Sequence, residues 1–309
     1  MSFIVKIVFA LSAVVNNLKI EKNCAMEEKS QNPSEHYLLI KPVNKFRLAD
    51  LLEIFRYREL LYFLTWRDIK VKYKQTIFGV LWVLIQPLAL MLLFTVVFGK
   101  FAKLEQDLKV PYALFAFAGL LPWQLFSRTL TATTGSLLSN EHLISKIYFP
   151  RMIVPLASCL SGIVDFLIGF IGLAVMMIFY CQMPTANIVF LPLFLILMMM
   201  TALGIGFWLS ALYIEYRDVG YIVPFLVQFW MFATPVVYPV NIIPQEYLWI
   251  VALNPMTGVI EGIRWSLFDY AYAPGKLFFL SLGISVFTFI SGAIWFHCRE
   301  KVFADYIGK

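Results

Sequence analysis

Five stretches of this chain carry no Asp, Glu, Lys or Arg, and they leave it few ways to fold in water. They run from Gln75 to Gly99, Val110 to Ser127, Phe166 to Ile214, Val219 to Gln245 and Leu277 to Cys298. Each reaches the roughly 18 residues that carry a helix across a bilayer. In lipid the backbone must satisfy its own hydrogen bonds, so such stretches form helices. The longest exceeds one helix and divides at the polar, proline-bearing turn from Gln182 to Asn187; the span before that turn begins near Met152 and encloses Asp165. The expected fold class is an all-α membrane protein with six spans, at about 77–99, 112–136, 152–181, 188–214, 220–238 and 277–298. Composition agrees, since 14% of the 309 residues are charged against about a quarter in soluble globules.

Short loops rich in Lys and Arg stay cytoplasmic. Thirteen of the 25 such residues precede residue 75. Placing the amino terminus inside also keeps Lys146, Arg151, Arg217, Arg299, Lys301 and Lys309 inside, leaves Lys100, Lys103, Lys109, Arg264 and Lys276 outside, and puts Arg128 within a span. Both termini then face the cytoplasm, with residues 299–309 as a cytoplasmic tail. The net charge of +6 reflects this asymmetry and anionic membrane lipid, not a nucleic-acid partner. Cys24, Cys159, Cys181 and Cys298 do not meet in an oxidising loop, and neither CxxC nor HExxH occurs, so no disulfide and no metal site are expected.

Residues 1–37 are expected to form a disordered extension, with Met26 an alternative start. Their apolar stretch is broken by Lys6 and lacks a signal-peptide cleavage site before the polar run Asn16 to Glu21. Residues 38–74 are read as a cytoplasmic interfacial helix. At about 100° per residue, Leu48, Leu51, Phe55, Tyr62, Trp66, Ile69 and Tyr73 share one stripe, and Arg56, Arg67, Lys70 and Lys74 cluster beside it. That pattern suits an amphipathic helix at the lipid boundary with its cations on phosphate head groups. Leu60, Leu64 and Val71 on another face leave open a helix packed on protein. Between spans two and three, residues 139–150 are expected to form a short cytoplasmic helix capped by Ser139 or Asn140 and ended by Pro150. Its apolar residues Leu143, Ile144, Ile147, Tyr148 and Phe149 require a cover of lipid or protein. The outer segment 239–275 holds apolar pieces too short to cross, which fits re-entrant short helices, with Gly258 and Gly262 forming a close-contact face.

A nucleotide site needs a glycine-rich loop ending in Gly-Lys-Ser/Thr. Gly99-Lys100, Gly275-Lys276 and Gly308-Lys309 are not followed by Ser or Thr, so this chain is expected to hold no ATPase, no catalytic residues and no cofactor. His36, His142 and His297 are scattered and support no acid–base centre. Arg128 and Asp165 fall on consecutive antiparallel spans; a charge in the bilayer costs several kcal/mol unless paired or watered, so either they pair or each faces water or a dimer interior separately. Glu215, Arg217 and Asp218 at the inner turn between spans four and five are either a solvated turn or a contact closing the cytoplasmic mouth. Aromatics make up 17% of the chain. Trp82, Trp123, Trp230, Phe232 and Tyr238 are candidates to line a conduit on which sugar faces slide, against the alternative of an ordinary interfacial belt.

Over residues 45–309 the chain resembles the ABC-2 type permeases of O-antigen, capsular polysaccharide and teichoic acid export. The stretches that carry the resemblance are Gly79 to Pro87, Phe117 to Phe126, Ser139 to Arg151, Tyr216 to Val219, Phe232 to Tyr238, and Asn254-Pro255 leading to Arg264. The resemblance implies a homodimer in the bacterial inner membrane, joined to two separate ATP-binding cassette subunits that bind ATP and Mg. It implies that Leu38 to Lys74 is a cytoplasmic gate helix and that Pro239 to Asp269 holds outer gate helices. It also implies a coupling helix at 139–150, whose candidate contacts with the ATPase are Glu141, His142, Leu143, Lys146, Tyr148, Phe149 and Arg151. The implied cargo is a polysaccharide on an undecaprenyl diphosphate carrier, with Arg56, Arg67, Lys70 and Lys74 to meet its diphosphate. Three rivals stand beside it: a drug or small-lipid exporter of the same fold, an ion-coupled secondary transporter, which should show inverted repeats and several intramembrane acids, and a membrane glycosyltransferase, for which no DxD motif is present.

Overall fold

The apolar runs emerge as helices in a computed structural model that describes residues 55–74, 80–147, 149–268, 275–300 and 303. These lie within one unit, Lys45–Lys309. In chain order the helices are α1 (Arg58–Lys74), α2 (Leu81–Phe94, prolonged by a π-helical turn over Thr95–Phe101), α3 (Tyr112–Ser139), α4 (Glu141–Lys146), α5 (Ile153–Phe179), α6 (Leu191–Glu215, led by a 3-10 turn at Ala186–Phe190), α7 (Val219–Ala233), α8 (Leu248–Ala252), α9 (Pro255–Leu267) and α10 (Lys276–Arg299). No strand occurs among the described residues. The expectations for residues 1–54 and 304–309 fall outside the described residues, among them the extension 1–37, the first part of the gate helix and most of the tail.

Among the described residues, four segments are long and apolar enough to cross a membrane: Leu81–Phe101, Ile153–Phe179, Ala186–Glu215 and Phe278–Arg299. Two expected spans differ for physical reasons. α3 has 28 residues, but Gln124, Arg128 and a run of Thr and Ser dilute its apolarity; it sits in the centre instead, with every residue from Tyr112 to Trp123 buried. α7 has 15 residues, about 22 Å at 1.5 Å per residue, short of a hydrocarbon core of about 30 Å. It stops at Ala233 because Thr234 to Tyr238 turns back on itself, with Thr234 Oγ1 donating to the Trp230 carbonyl.

α3 packs between α5 and α6, and α10 lies along α6. The α6–α10 contact brings backbones together: a Cβ on Gly292 would stand 2.1 Å from the Gly204 carbonyl oxygen. Thr201 and Ser285 add a hydrogen bond of 2.9 Å across that seam. α1 packs along α5. Its Leu64 is buried with Leu137, Ile144, Phe149 and Ile153, and Leu60 and Leu61 lean on the same cluster. The protein that α1 packs on is therefore this chain itself. The aromatic stripe splits: Phe55, Tyr62 and Trp66 are 74, 71 and 54% exposed, whereas Ile69 and Tyr73 are half-buried.

Candidate functional site

Four polar side chains from α1, α2 and α3 gather around Asp165. The carboxylate, on α5, is 5% exposed and sits 2.9 Å from Arg128 of α3. Lys72 and Tyr73, at the end of α1, both donate to it. The second amino group of Arg128 donates to Gln86 Oε1 of α2 at 2.7 Å. Burial, and after it the hydrogen bond to Asp165, pushes the Tyr73 phenol above its ordinary pKa, so it remains a donor at neutral pH. Arg128 and Asp165 are thus brought together, and Lys72, Tyr73 and Gln86 join them. Periodicity placed Lys72 off the cationic stripe; the usable signal was its position one turn before a predicted span.

A second junction ties α1 to the α3–α4 corner. Arg67 donates to Asn140 Oδ1 at 2.7 Å, and Asn140 Nδ2 donates to the Ser136 carbonyl at 2.8 Å. The expected caps are consequently not made: Asn140 occupies the N-cap position of α4 without a side-chain cap bond, and Ser139 bonds back to the Gly135 carbonyl. α4 ends at Lys146, short of Pro150. Of the apolar residues that required a cover, Ile144 and Phe149 are buried within this chain's own core, and Ile147 stays 55% exposed.

Arg264, counted from the sequence among the outside cations, is fully buried. It donates to the carbonyls of Pro235 (2.8 Å) and Val236, and to Glu261 Oε1 at 2.9 Å. Its guanidinium also lies 3.6 Å from the centre of the Phe115 ring. The clamp joins α9, the turn after α7 and the start of α3. Gly119 makes room for it, because a Cβ there would stand 2.5 Å from Arg264 Nη2. Tyr112 donates to the Val237 carbonyl at 2.6 Å, and Asn254 both bonds Thr234 Oγ1 at 2.7 Å and caps α9 through the Met256 amide. The stretches Phe232 to Tyr238 and Asn254 to Arg264, separate in sequence, form one joint.

These geometries fall inside the region where the chain matches known proteins. The family model described as ABC-2 type transporter matches residues 59–268. This chain belongs to the ABC-2 type transporter family. Similar proteins include the O-antigen export system permease protein RfbA of Myxococcus xanthus, 28% identical over 262 residues that cover 82% of this chain and 98% of that one. The O-antigen export system permease protein RfbA of Klebsiella pneumoniae is 30% identical over 208 residues, 67% of this chain and 79% of that one. The polysialic acid transport protein KpsM of Escherichia coli is 22% identical over 242 residues, 76% of this chain and 91% of that one. The match begins beside the first residue of α1 and ends just past α9, so the Asp165 cluster, the α4 corner and the outer clamp are all within the ABC-2 region.

The remaining candidate residues of this ABC-2 chain are distributed as follows. Arg67, Lys70 and Lys74 line one concavity with Val71, while Arg56 is exposed elsewhere on the chain. On α4, His142 and Lys146 are exposed and Glu141 and Leu143 are half-buried; Tyr148 is outside the described residues. Phe149 packs inward and Arg151 turns to the end of α10, its amide donating to Glu300 Oε1 at 2.9 Å. Neither side chain is presented on the α4 surface. Trp123 is 3% exposed and packs edge-on against Trp230 at 6.5 Å, with Phe126 touching both; these rings join α3 to α7. Phe232 is 52% and Trp82 53% exposed, and the Tyr238 hydroxyl donates to the Phe232 carbonyl at 3.3 Å. At the turn between α6 and α7 Glu215 pairs with Arg299 of α10, whereas Arg217 and Asp218 are exposed. Gly258 and Gly262 are close contacts, against Ser281 and the Phe194 ring. Cys159, Cys181 and Cys298 are free thiols, and no group of residues among those described could hold a metal.

Proposed function

We propose that this chain is the membrane-spanning subunit of an ATP-driven exporter that carries lipid-linked polysaccharide out of the cytoplasm. The observation that supports this most is the match to permeases of O-antigen export over nearly the whole length of the Myxococcus relative. In this reading α2, α3, α5, α6, α7 and α10 are six spans, with both termini in the cytoplasm. Two copies pair in the inner membrane, and two ATP-binding cassette subunits supply nucleotide hydrolysis. α4 is the coupling helix, and His142, Lys146 and Ile147 are the side chains it offers to the ATPase. Motion of α4 passes to α1 through the Arg67–Asn140 bond, because Asn140 is the corner residue on which α4 turns. The short helices α8 and α9 are re-entrant and shape the outer mouth, and the exposed aromatic face of α7, Tyr221, Phe225, Phe229 and Phe232, borders the conduit. The concavity of Arg67, Lys70 and Lys74 meets the carrier diphosphate with charge-assisted bonds.

The test is reconstitution of the chain with an ATP-binding cassette subunit, in vesicles loaded with lipid-linked polymer. Polymer should reach the far leaflet only with ATP, and a hydrolysis-deficient partner should abolish transfer. Nucleotide turnover by this chain alone, or labelling of its carboxyl terminus from outside the cell, would refute the reading. Neutralising Arg67, Lys70 and Lys74 together without slowing transfer would remove the diphosphate contact from it.

A further inference from the structure

The Asp165 cluster holds more positive than negative charge. Lys72 and Arg128 each contribute one cation, Asp165 one anion, and Gln86 and Tyr73 are neutral partners. Among the described residues one positive charge is left over, and a cation against apolar helices is costly unless an anion matches it. The exposure of the three charged groups is graded. Asp165 is 5% exposed, at the back, whereas Lys72 and Arg128 are 42 and 30% exposed, in front of it. Anything arriving at the cluster meets the two cations first.

Arg128 divides its fork between a charged and a neutral acceptor: one amino group on Asp165 at 2.9 Å, the other on the Gln86 amide oxygen at 2.7 Å. Hydrogen bonds to ionised acceptors are roughly twice as strong as those to neutral ones. An anionic oxygen therefore displaces Gln86 from Arg128 and brings the cluster to neutrality. The face of α2 that carries Gln86 is apolar, with Trp82 one turn before it 53% exposed and Leu93 two turns after it 55% exposed. That combination of two cations and an oily flank suits an acidic lipid better than a soluble ion.

We propose that the Asp165 cluster is a binding site for one phosphate-bearing lipid head group, held by Lys72 Nζ and Arg128 Nη2, with Asp165 as the buried anion that the two cations share. The site is separate from the concavity of Arg67, Lys70 and Lys74. It rests on the membrane-subunit reading only in that these helices lie in lipid, and its test reads lipid retention without any transport.

The full chain is placed in phosphatidylcholine nanodiscs containing phosphatidic acid, and the phosphatidic acid kept per chain is counted by native mass spectrometry. Lys72→Gln with Arg128→Gln should lower retention tenfold or more. Asp165→Asn should leave retention equal or higher, since it removes the internal competitor for both cations. Gln86→Glu supplies the missing anion from within, so it should lower retention about tenfold while the thermal melt stays level or rises; if that variant fails to fold, Lys72→Gln alone serves. A purely structural ion cluster predicts the reverse pattern, lower melts for Asp165→Asn and unchanged retention for Gln86→Glu, and that result overturns the proposal. Displacement of phosphatidic acid by a polyprenyl diphosphate identifies the cargo carrier as the occupant, and resistance to it identifies a resident bilayer lipid; both uphold a lipid head-group site. Full displacement by millimolar inorganic phosphate overturns the lipid assignment.

Discussion

Replacing Arg264 with methionine keeps most of the side-chain volume and removes the charge, so it isolates what the outer clamp contributes. The variant strands the Pro235 and Val236 carbonyls and leaves the Glu261 carboxylate, 17% exposed, without its ion-pair partner. Breaking a buried pair by deleting one member costs about 3–5 kcal/mol, and each stranded carbonyl about 1 kcal/mol or more. The ring contact with Phe115 contributes about a further 1 kcal/mol. These losses overlap, and a net of about 4 kcal/mol is expected, which at roughly 2 °C per kcal/mol lowers the melting midpoint by about 8 °C. The assay is thermal unfolding of the detergent-solubilised chain followed by tryptophan fluorescence. Adding Glu261→Gln to Arg264→Met removes the stranded charge and should recover about half of the loss. A melt of Arg264→Met within 2 °C of wild type, or a double variant no better than the single one, would refute the clamp as the element that holds α9 to α3.

Gly119→Ala places a methyl group 2.5 Å from Arg264 Nη2 and should cost about 1–3 kcal/mol, whereas Gly135→Ala meets nothing within 4 Å and should gain up to about 1 kcal/mol of helix propensity; the same melt reads both signs. Asn140→Ala removes the acceptor of Arg67 and should weaken the hold on α1 by about 1 kcal/mol, seen as roughly fivefold faster hydrogen exchange in α1 with little change in α6. Trp123→Ala, at a buried site, should destabilise by about 3–5 kcal/mol, while Phe232→Ala, at an exposed one, should leave stability within about 0.5 kcal/mol and lower transport if α7 borders the conduit. Equal effects of the two on the melt would contradict the division of aromatics into core and surface.

Much of the arrangement was legible from local pattern because lipid-facing helices announce themselves by composition. The boundaries of α5, α6 and α10 fall within a few residues of the expected spans, since an apolar run of that length has no other way to satisfy its backbone in a bilayer. The pairing of Arg128 with Asp165 was one of two open readings, and contact between consecutive antiparallel helices favours it. Less was legible at the ends. The stop of α7 at Ala233 and the start of α4 at Glu141 depend on where a turn can be anchored, by Thr234 in one case and by the Arg67–Asn140 bond in the other.

The sequence by itself determined that this is a helical membrane protein without a phosphate-binding loop, because hydropathy and motif spacing are properties of contiguous residues. Only the tertiary structure decided which charges are partners. Lys72, Gln86, Arg128 and Asp165 lie on four helices, and Arg264, which the sequence places only among the outside cations, is enclosed by Pro235, Val236 and Phe115. The physical reason is that the cost of burying a charge is set by the groups that surround it in space, and those come from residues far apart in the chain.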